Sequence, residues 1–248
     1  MPRALIYTTV GALLLAGAAA LFAPASLLDG PLAARTDGRL RLVDTRGLWW
    51  KGRGVVAAAT GSARLPVAWR LDAIALAQGH VRIVVGDGDN GSPRGTVVVH
   101  RDGLGIDRLH ARVPASFASA LAPPLRALSP GGMLVVDAQH LDVMPQRTTG
   151  ALDAQWIGAS IATGPLTASL GTVSFALSSI ADGVSGTVRN DGGDVSIDGV
   201  ITGSGRRVEA ALTLKANPGA SDGLRALLPL LGPTDNAGNV RVAWSGRR

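Results

Sequence analysis

The sequence predicts a mainly β protein, with an N-terminal transmembrane helix followed by a curved antiparallel β-sheet or sandwich. The folded part is expected to consist of two similar halves, each with a short helix. Three observations predict this architecture: residues 4–28 carry no charge, short downstream runs alternate apolar and polar residues, and glycine-rich clusters separate those runs. The 248 residues are 46% apolar and 17% charged and include 33 glycines, a composition that supports a core with many turns and disfavours disorder.

The apolar start has the length of a membrane-spanning helix. Residues 4–23 would extend about 30 Å as a helix, roughly one hydrocarbon core. Arg3 and the free N-terminus form a positive flank, which would keep the start of the chain in the cytoplasm and place the remainder in the periplasm. We expect residues 1–28 to form the cytoplasmic start and anchor, and residues 29–38 a linker. A cleaved signal peptide and a buried core helix are the alternatives.

Alternating runs predict half-buried strands in the exported part. In residues 108–113, for example, Leu109, Ala111 and Val113 share one face and basic side chains share the other. Clusters at residues 86–91 and 190–193 tolerate positive φ and would close antiparallel hairpins. The predicted strands cover residues 39–43, 69–76, 81–85, 96–99, 108–113, 133–136, 166–177, 184–188, 195–200, 207–215 and 240–244.

Two segments follow helical spacing instead. Residues 114–128 carry apolar side chains at that spacing until a Pro-Pro pair interrupts it, and residues 221–231 repeat the arrangement with Ser221 placed as the N-cap. The chain also shows signs of a duplication, because two features recur 106 positions apart: Trp50-Lys51-Gly52 as Trp156-Ile157-Gly158, and Gly132 as Gly238. We expect residues 39–145 and 146–248 to be two copies of one unit, with chance matching of glycines as the alternative.

The sequence contains partial matches to known ligand-binding motifs, but the residues around them do not fit those motifs. Gly86-x-Gly88-x-x-Gly91 matches the dinucleotide fingerprint, but a strand rather than a helix follows, so a hairpin turn is expected. Asp87 and Asp89 suit a calcium loop, yet Val98 stands where the bidentate carboxylate is required. No P-loop or nucleophile elbow is present, and the histidines are far apart in sequence: His80, His100, His110 and His140. We expect a protein without catalytic, cofactor or metal sites; an exported enzyme with a dispersed site is the weaker alternative.

The formal net charge is +6 and the pI is about 11.1. Apart from Arg206-Arg207 and Arg247-Arg248, the arginines are spread singly along the chain and few aromatic residues stand between them. This distribution argues against nucleic-acid binding. It favours attraction to an anionic membrane surface or an acidic partner, with solubility as the simpler alternative.

Three blocks of the sequence resemble the type II secretion system protein N family, also called general secretion pathway protein N. Residues 44–52 resemble its early G-x-[LV]-W-x-G block, residues 65–71 its next block with Pro and Trp before a strand, and residues 238–246 its closing strand and W-x-G. The resemblance implies an accessory component of the machine that exports folded exoproteins through an outer-membrane secretin. Its expected location is the inner membrane, crossed once, with the bulk of the chain in the periplasm.

The resemblance implies contacts with the secretin and with inner-membrane platform or scaffold proteins, beside inner-membrane lipid. A membrane-anchored periplasmic lipid-binding or envelope-assembly protein is the alternative, because one apolar sheet face could hold a lipid chain. The candidate structural or interaction residues are Trp49, Trp50, Gly52, Trp69, Trp156, Gly158, Trp244 and Gly246. For the tryptophans, packing in the sheet is the simpler role and direct partner contact the other.

Overall fold

A computed structural model of the protein describes residues 21–59, 63–72, 74–75, 81–89, 91–99, 103–117, 129–144, 148–164, 166–180, 183–204 and 207–247. Within these ranges, thirteen strands form one open antiparallel sheet in which each strand pairs with its sequence neighbours. The mainly β, antiparallel prediction is confirmed. The strands are β1 (Leu40–Leu48), β2 (Lys51–Ala58), β3 (Arg64–Leu71), β4 (Val81–Asp87), β5 (Pro93–Val99), β6 (Leu104–Pro114), β7 (Ser129–Val143), β8 (Thr148–Thr163), β9 (Leu166–Ile180), β10 (Gly183–Asp191), β11 (Val195–Ser204), β12 (Arg207–Ala216) and β13 (Val240–Arg247).

Short helices precede the first and last strands. A 3₁₀ helix (Ala25–Leu28) leads into α1 (Asp29–Arg35), and α2 (Asp222–Leu227) leads into a second 3₁₀ turn (Leu228–Leu230). The predicted helix at residues 221–231 is confirmed together with its cap, because the Leu224 amide donates to Ser221 Oγ at 3.3 Å. Most of the helix predicted over residues 114–128 lies outside the described residues.

The N-terminal part of the described chain packs directly onto the sheet. Ala25 is 1% exposed, and Leu32 of α1 contacts the cluster formed by Leu40, Ala58 and Phe117. In the part of the chain that the structure describes, no helix is both long and apolar enough to cross a membrane. Residues 1–20, which hold most of the expected span, lie outside it.

One face of the sheet, here called the apolar face, carries the core. A row of directly paired residues crosses eight strands on this face, and cross-strand partners share a face in an antiparallel sheet. The helical segment after β12 packs on this side: Leu228 is 5% exposed and joins a cluster with Val173 and Val240. The row consists of Ala111, Val136, Ala154, Phe175, Val188, Gly199, Leu212 and Val242.

The glycine motif at residues 86–91 forms the predicted hairpin turn. The Asp87 amide donates to the Ser92 carbonyl at 2.9 Å, and β5 begins at Pro93. One carboxylate oxygen of Asp87 accepts from the Asp89 amide, and the other pairs with Arg94 at 2.7 Å. The turn aspartate therefore serves the hairpin itself.

The sequence pattern does not predict two of the strands, and it misplaces the end of a third. Neither β2 nor β8 was predicted, because β2 opens with Lys-Gly-Arg-Gly and β8 mixes glycine, alanine and polar residues. The strand predicted over residues 69–76 is wrong in its second half: β3 ends at Leu71, and residues 74–75 are helical. Pairing with neighbouring strands outweighs these weak local propensities.

Candidate interaction surfaces

Four of the candidate residues meet at the turn between β1 and β2. Trp49 and Trp50 form this turn, and the register pairs Gly52 of β2 with Trp69 of β3. The Trp69 Nε1–H donates to the Trp49 carbonyl at 2.9 Å, and the Trp50 Nε1–H donates to the Leu21 carbonyl at 2.9 Å. The indoles thereby connect this turn to β3 and to the segment that precedes the sheet.

Trp156 and Gly158 lie within β8, remote in sequence from that turn. Trp156 packs against the apolar cluster, and its Nε1–H donates to the Gly131 carbonyl of β7 at 2.7 Å. The register shifts between Trp156 and Ala159, which is the mark of a β-bulge. Gly158 has a φ of +60°, a left-handed conformation that favours glycine.

Trp244 and Gly246 belong to β13, where they pair with Ala210 and Val208 of β12. The eight candidate residues therefore occupy three places in the sheet: the β1–β3 end, the β7–β8 bulge and the last strand. The structure does not bring them into one site.

The β1 edge of the sheet is capped by the chain's own side chains. The Asp29 carboxylate of α1 accepts from the Leu42 amide at 2.8 Å and from Arg41 at 2.6 Å, and Thr36 Oγ1 accepts from the Leu40 amide at 3.2 Å. The hydrogen bond from Arg41, which has the largest effect, and the one from the Leu42 amide lower the pKa of Asp29. At the other end of β1, the Trp49 amide donates to the Ala23 carbonyl. Capping of this kind blocks pairing with another strand.

The β13 edge is open along its second half. The Arg241 amide points away from β12, since it donates to the Pro233 carbonyl at 3.0 Å. Backbone groups alternate in direction along an antiparallel strand, so the amides of Ala243 and Ser245 point the same way. Among the described residues, neither of these two amides has a backbone hydrogen-bond acceptor. We call residues 242–247 the open edge.

A shallow groove lies beside the open edge on the polar face of the sheet. Its volume is about 410 Å³, and it is lined by residues of β11, β12 and β13. The groove exists because small side chains follow one another across the strands: Ala211 pairs with Ala243, next to Ser245. Val200, 46% exposed, supplies an apolar wall, and Glu209 supplies a carboxylate.

The structure also assembles a histidine–carboxylate group between β6 and β7. His140 Nδ1 lies 2.7 Å from Asp107 Oδ1 of the neighbouring strand, and His140 Nε2 lies 3.1 Å from Asp142 Oδ2. The hydrogen bond with Asp107 is the main cause of a raised pKa of His140, and Asp142 adds to it. His140 and Asp107 are 33 positions apart, so spacing within the sequence carries no signal of this contact. Of the other histidines, His110 is an exposed strand residue whose Nδ1 lies 2.5 Å from Asp137 Oδ1. His80 and His100 lie outside the described residues.

Comparison with known proteins identifies one family. A family model described as type II secretion system (T2SS), protein N matches residues 38–243, which is most of the chain. No curated protein and no solved structure matches it. The matched range contains all thirteen strands except the last residues of β13.

Proposed function

Because the chain belongs to the family of type II secretion system protein N, we propose that it is an accessory periplasmic component of that system, anchored in the inner membrane. It assists the export of folded exoproteins through the outer-membrane secretin by protein–protein contact. The proposed role is architectural and involves neither catalysis nor a nucleic-acid partner. Its partners are the secretin and the inner-membrane platform or scaffold proteins.

The proposed location follows from the sequence of the first residues. Residues 4–23 are long and apolar enough to span a bilayer once, and Arg3 precedes them as the cytoplasmic flank. The sheet would then lie in the periplasm, close to the membrane surface. Direct packing of Ala25 and α1 on the sheet supports a short, stiff connection at this point.

The open edge of β13 is the observation that carries the proposed contact. An edge with free amides and carbonyls can accept one further strand from another protein, and the capped β1 edge cannot. The partner strand would be extended, with apolar residues beside Val242. Acidic residues at its ends would complement two arginines, Arg241 just before the open edge and Arg247 as its last residue.

A second copy of the same chain is a poor occupant of this edge. In an antiparallel β13–β13 pair that overlaps over residues 241–247, Arg241 of one copy would lie opposite Arg247 of the other. That opposition would occur at both ends of the pair. Like charges directly opposite each other destabilise a sheet, so the charge pattern supports a different, acidic partner.

A proline substitution tests this contact. Ala243→Pro removes an amide that points away from β12, so the internal ladder is kept while strand addition is blocked. Ala243→Thr is the matched control, because it keeps the amide at the same position. We expect the gene deletion to retain exoprotein in the cells. Wild type and Ala243→Thr should restore export, and Ala243→Pro and an anchorless chain should fail to do so.

The same experiment can contradict the proposal at two levels. Normal export in the deletion strain would remove support for a role in the secretion machine. Full restoration by Ala243→Pro would instead leave that role standing and reject the open edge as the contact. Circular dichroism and a urea titration of the purified variants would show that each is folded to the same extent.

A second function is supported by the apolar row that crosses eight strands, because such a face can hold an acyl chain. In this alternative the chain is a membrane-anchored periplasmic lipid-binding or envelope-assembly protein. Organic extraction of the purified protein followed by mass spectrometry separates the two functions. Stoichiometric phospholipid would favour lipid binding, whereas its absence together with crosslinks to secretin or platform proteins would favour the secretion role.

We also propose that residues 39–145 and 146–248 are two copies of one unit, following residues 1–28 as cytoplasmic start and anchor and residues 29–38 as connection. The strand order supports this: β6 and β12 are each followed by a segment that carries a buried apolar residue, Phe117 or Leu228, and then by the next strand. The copies differ at their tryptophans, since Trp50 lies in a turn and Trp156 lies inside a strand.

A further inference from the structure

Four cations that are spread along the sequence lie together at the β1–β3 end of the sheet. The register places Arg46 directly opposite Arg53, and Lys51 directly opposite Arg70. All four residues are exposed, and they share the polar face. We call them the basic cluster. Strand pairing thus brings together four cations that the sequence separates.

The basic cluster has no internal compensation. In the described part of the chain, none of its four side chains forms an ion pair, and the nearby Asp44 pairs with Arg64 at 2.6 Å. Like charges directly opposite each other destabilise a sheet. An anion from outside the chain would remove this repulsion, and guanidinium groups bind phosphate oxygens with two parallel hydrogen bonds.

Exposed apolar residues adjoin the basic cluster. Leu21 is 61% exposed and Phe22 is 74% exposed. The Trp50 indole, next to Lys51 in the chain, binds the Leu21 carbonyl. Leu21 and Phe22 lie near the end of the apolar segment of residues 4–23, so the basic cluster lies where this segment joins the sheet. Cations beside exposed apolar and indole groups are the combination that suits a membrane–water interface.

We propose that the basic cluster binds the phosphate groups of anionic phospholipids, while Leu21 and Phe22 insert among the acyl chains. The inference rests on the membrane anchorage proposed above and adds a second contact, which would hold the sheet in one orientation on the bilayer. Each Lys or Arg at an anionic surface contributes about fivefold to binding, so loss of two cations weakens the contact about 25-fold. The attraction is electrostatic, and salt weakens it.

The absence of cysteine from the chain makes the test direct. Ala68, paired with Arg53, is replaced by cysteine and labelled with an environment-sensitive fluorophore. The full chain is reconstituted in vesicles of phosphatidylcholine alone or mixed with phosphatidylglycerol, and quenching by a headgroup-attached quencher is measured. The same label at Ser174→Cys, an exposed position of β9 on the same face, is the positional control.

We expect strong quenching at residue 68 only in vesicles with phosphatidylglycerol, and little at residue 174 in either. The double substitution Arg53→Gln/Arg70→Gln should reduce the quenching to the level seen in phosphatidylcholine. Lys215→Gln, which removes one exposed cation of β12, should leave it unchanged. Raised chloride should also reduce quenching in the wild type.

Vesicle flotation after alkaline washing separates this inference from the anchorage on which it rests. A chain that fails to float with the vesicles would reject the anchor. An anchored chain with equal quenching in both lipids, or with quenching that survives Arg53→Gln/Arg70→Gln, would overturn the lipid contact alone. If Arg53→Gln/Arg70→Gln lost export while the wild type showed no lipid-dependent quenching, the basic cluster would instead bind an acidic protein partner. That result would also overturn the proposal.

Discussion

Gly52 lies directly against the indole ring of Trp69: a Cβ atom added at Gly52 would stand 2.7 Å from Trp69 Cζ2. It would also stand 2.9 Å from the Arg46 carbonyl oxygen. The Trp69 ring is held in this place by its hydrogen bond to the Trp49 carbonyl. A side chain at position 52 therefore displaces the indole on which the β1–β2 turn depends.

Gly52→Ala should destabilise the protein by about 1–3 kcal/mol, because an added methyl group overpacks this contact. The matched control is Gly203→Ala, also in a strand, where the nearest atom to the new Cβ would be 3.7 Å away. The control should be neutral or stabilising by about 0.5 kcal/mol. Urea titrations measure both changes, and equal costs would contradict the explanation.

Trp156→Phe should cost about 1 kcal/mol, since it keeps an aromatic ring but removes the donor to the Gly131 carbonyl. Trp50→Phe removes a hydrogen bond of similar length, from the indole to the Leu21 carbonyl. Because this bond is exposed, water can replace the donor, and the cost should be smaller. The free energies of unfolding of the two variants test whether Trp156→Phe costs more than Trp50→Phe. Unchanged stability with impaired export in Trp156→Phe would instead point to partner contact.

Asn190 joins three strands through its side chain. Its Nδ2 donates to the carbonyls of Leu170 and Val195 at 2.8 and 2.6 Å, and its Oδ1 accepts from the Ile197 amide at 2.6 Å. Asn190→Ala should cost about 2–4 kcal/mol, at roughly 1 kcal/mol for each hydrogen bond. Asp191→Ala, at the exposed neighbouring position, should change stability by less than about 0.5 kcal/mol. Similar losses for both variants in thermal or urea unfolding would refute the bridging role.

Protonation of His140 should stabilise the sheet in acid. Asp107 and Asp142 raise the pKa of His140 in the folded state above its usual value of about 6.5. A raised pKa means that the stabilisation is fully present below the unfolded-state pKa and is lost as the pH rises through the folded-state pKa. His140→Gln should remove this dependence. The measurement is the free energy of unfolding at about pH 5.5 and about pH 8.5, and parallel changes in both proteins would contradict the prediction.

Arg53→Glu should stabilise the sheet while it abolishes the proposed lipid contact. The substitution replaces a like-charged pair with Arg46 by an opposite-charged pair, a gain of about 0.5–1 kcal/mol at a directly paired position. Arg189→Glu is the contrasting change, because it breaks an existing pair with Asp198 and should not stabilise. A destabilised Arg53→Glu variant in urea unfolding would show that the cluster is not repulsive.

Local signals were sufficient wherever neighbouring residues decide the structure. The alternation at residues 207–215 and the cap at Ser221 depend on contacts within a few positions, and both appear in β12 and α2 as expected. The glycine motif at residues 86–91 likewise closes a hairpin. The resemblance at residues 44–52, 65–71 and 238–246 identified the family, and the match over residues 38–243 confirms it.

Register and edges depended on tertiary pairing. Only the pairing of β1 with β2 sets Arg46 against Arg53, and only the pairing of β6 with β7 brings Asp107 to His140. The capping of β1 by Asp29 and the open edge at Ala243 likewise depend on where the outer strands lie. Periodicity along one strand determines which face a residue occupies, but it carries no information about which residue of another strand lies opposite. The charged and hydrogen-bonding contacts of this sheet therefore become visible only once the strands are paired.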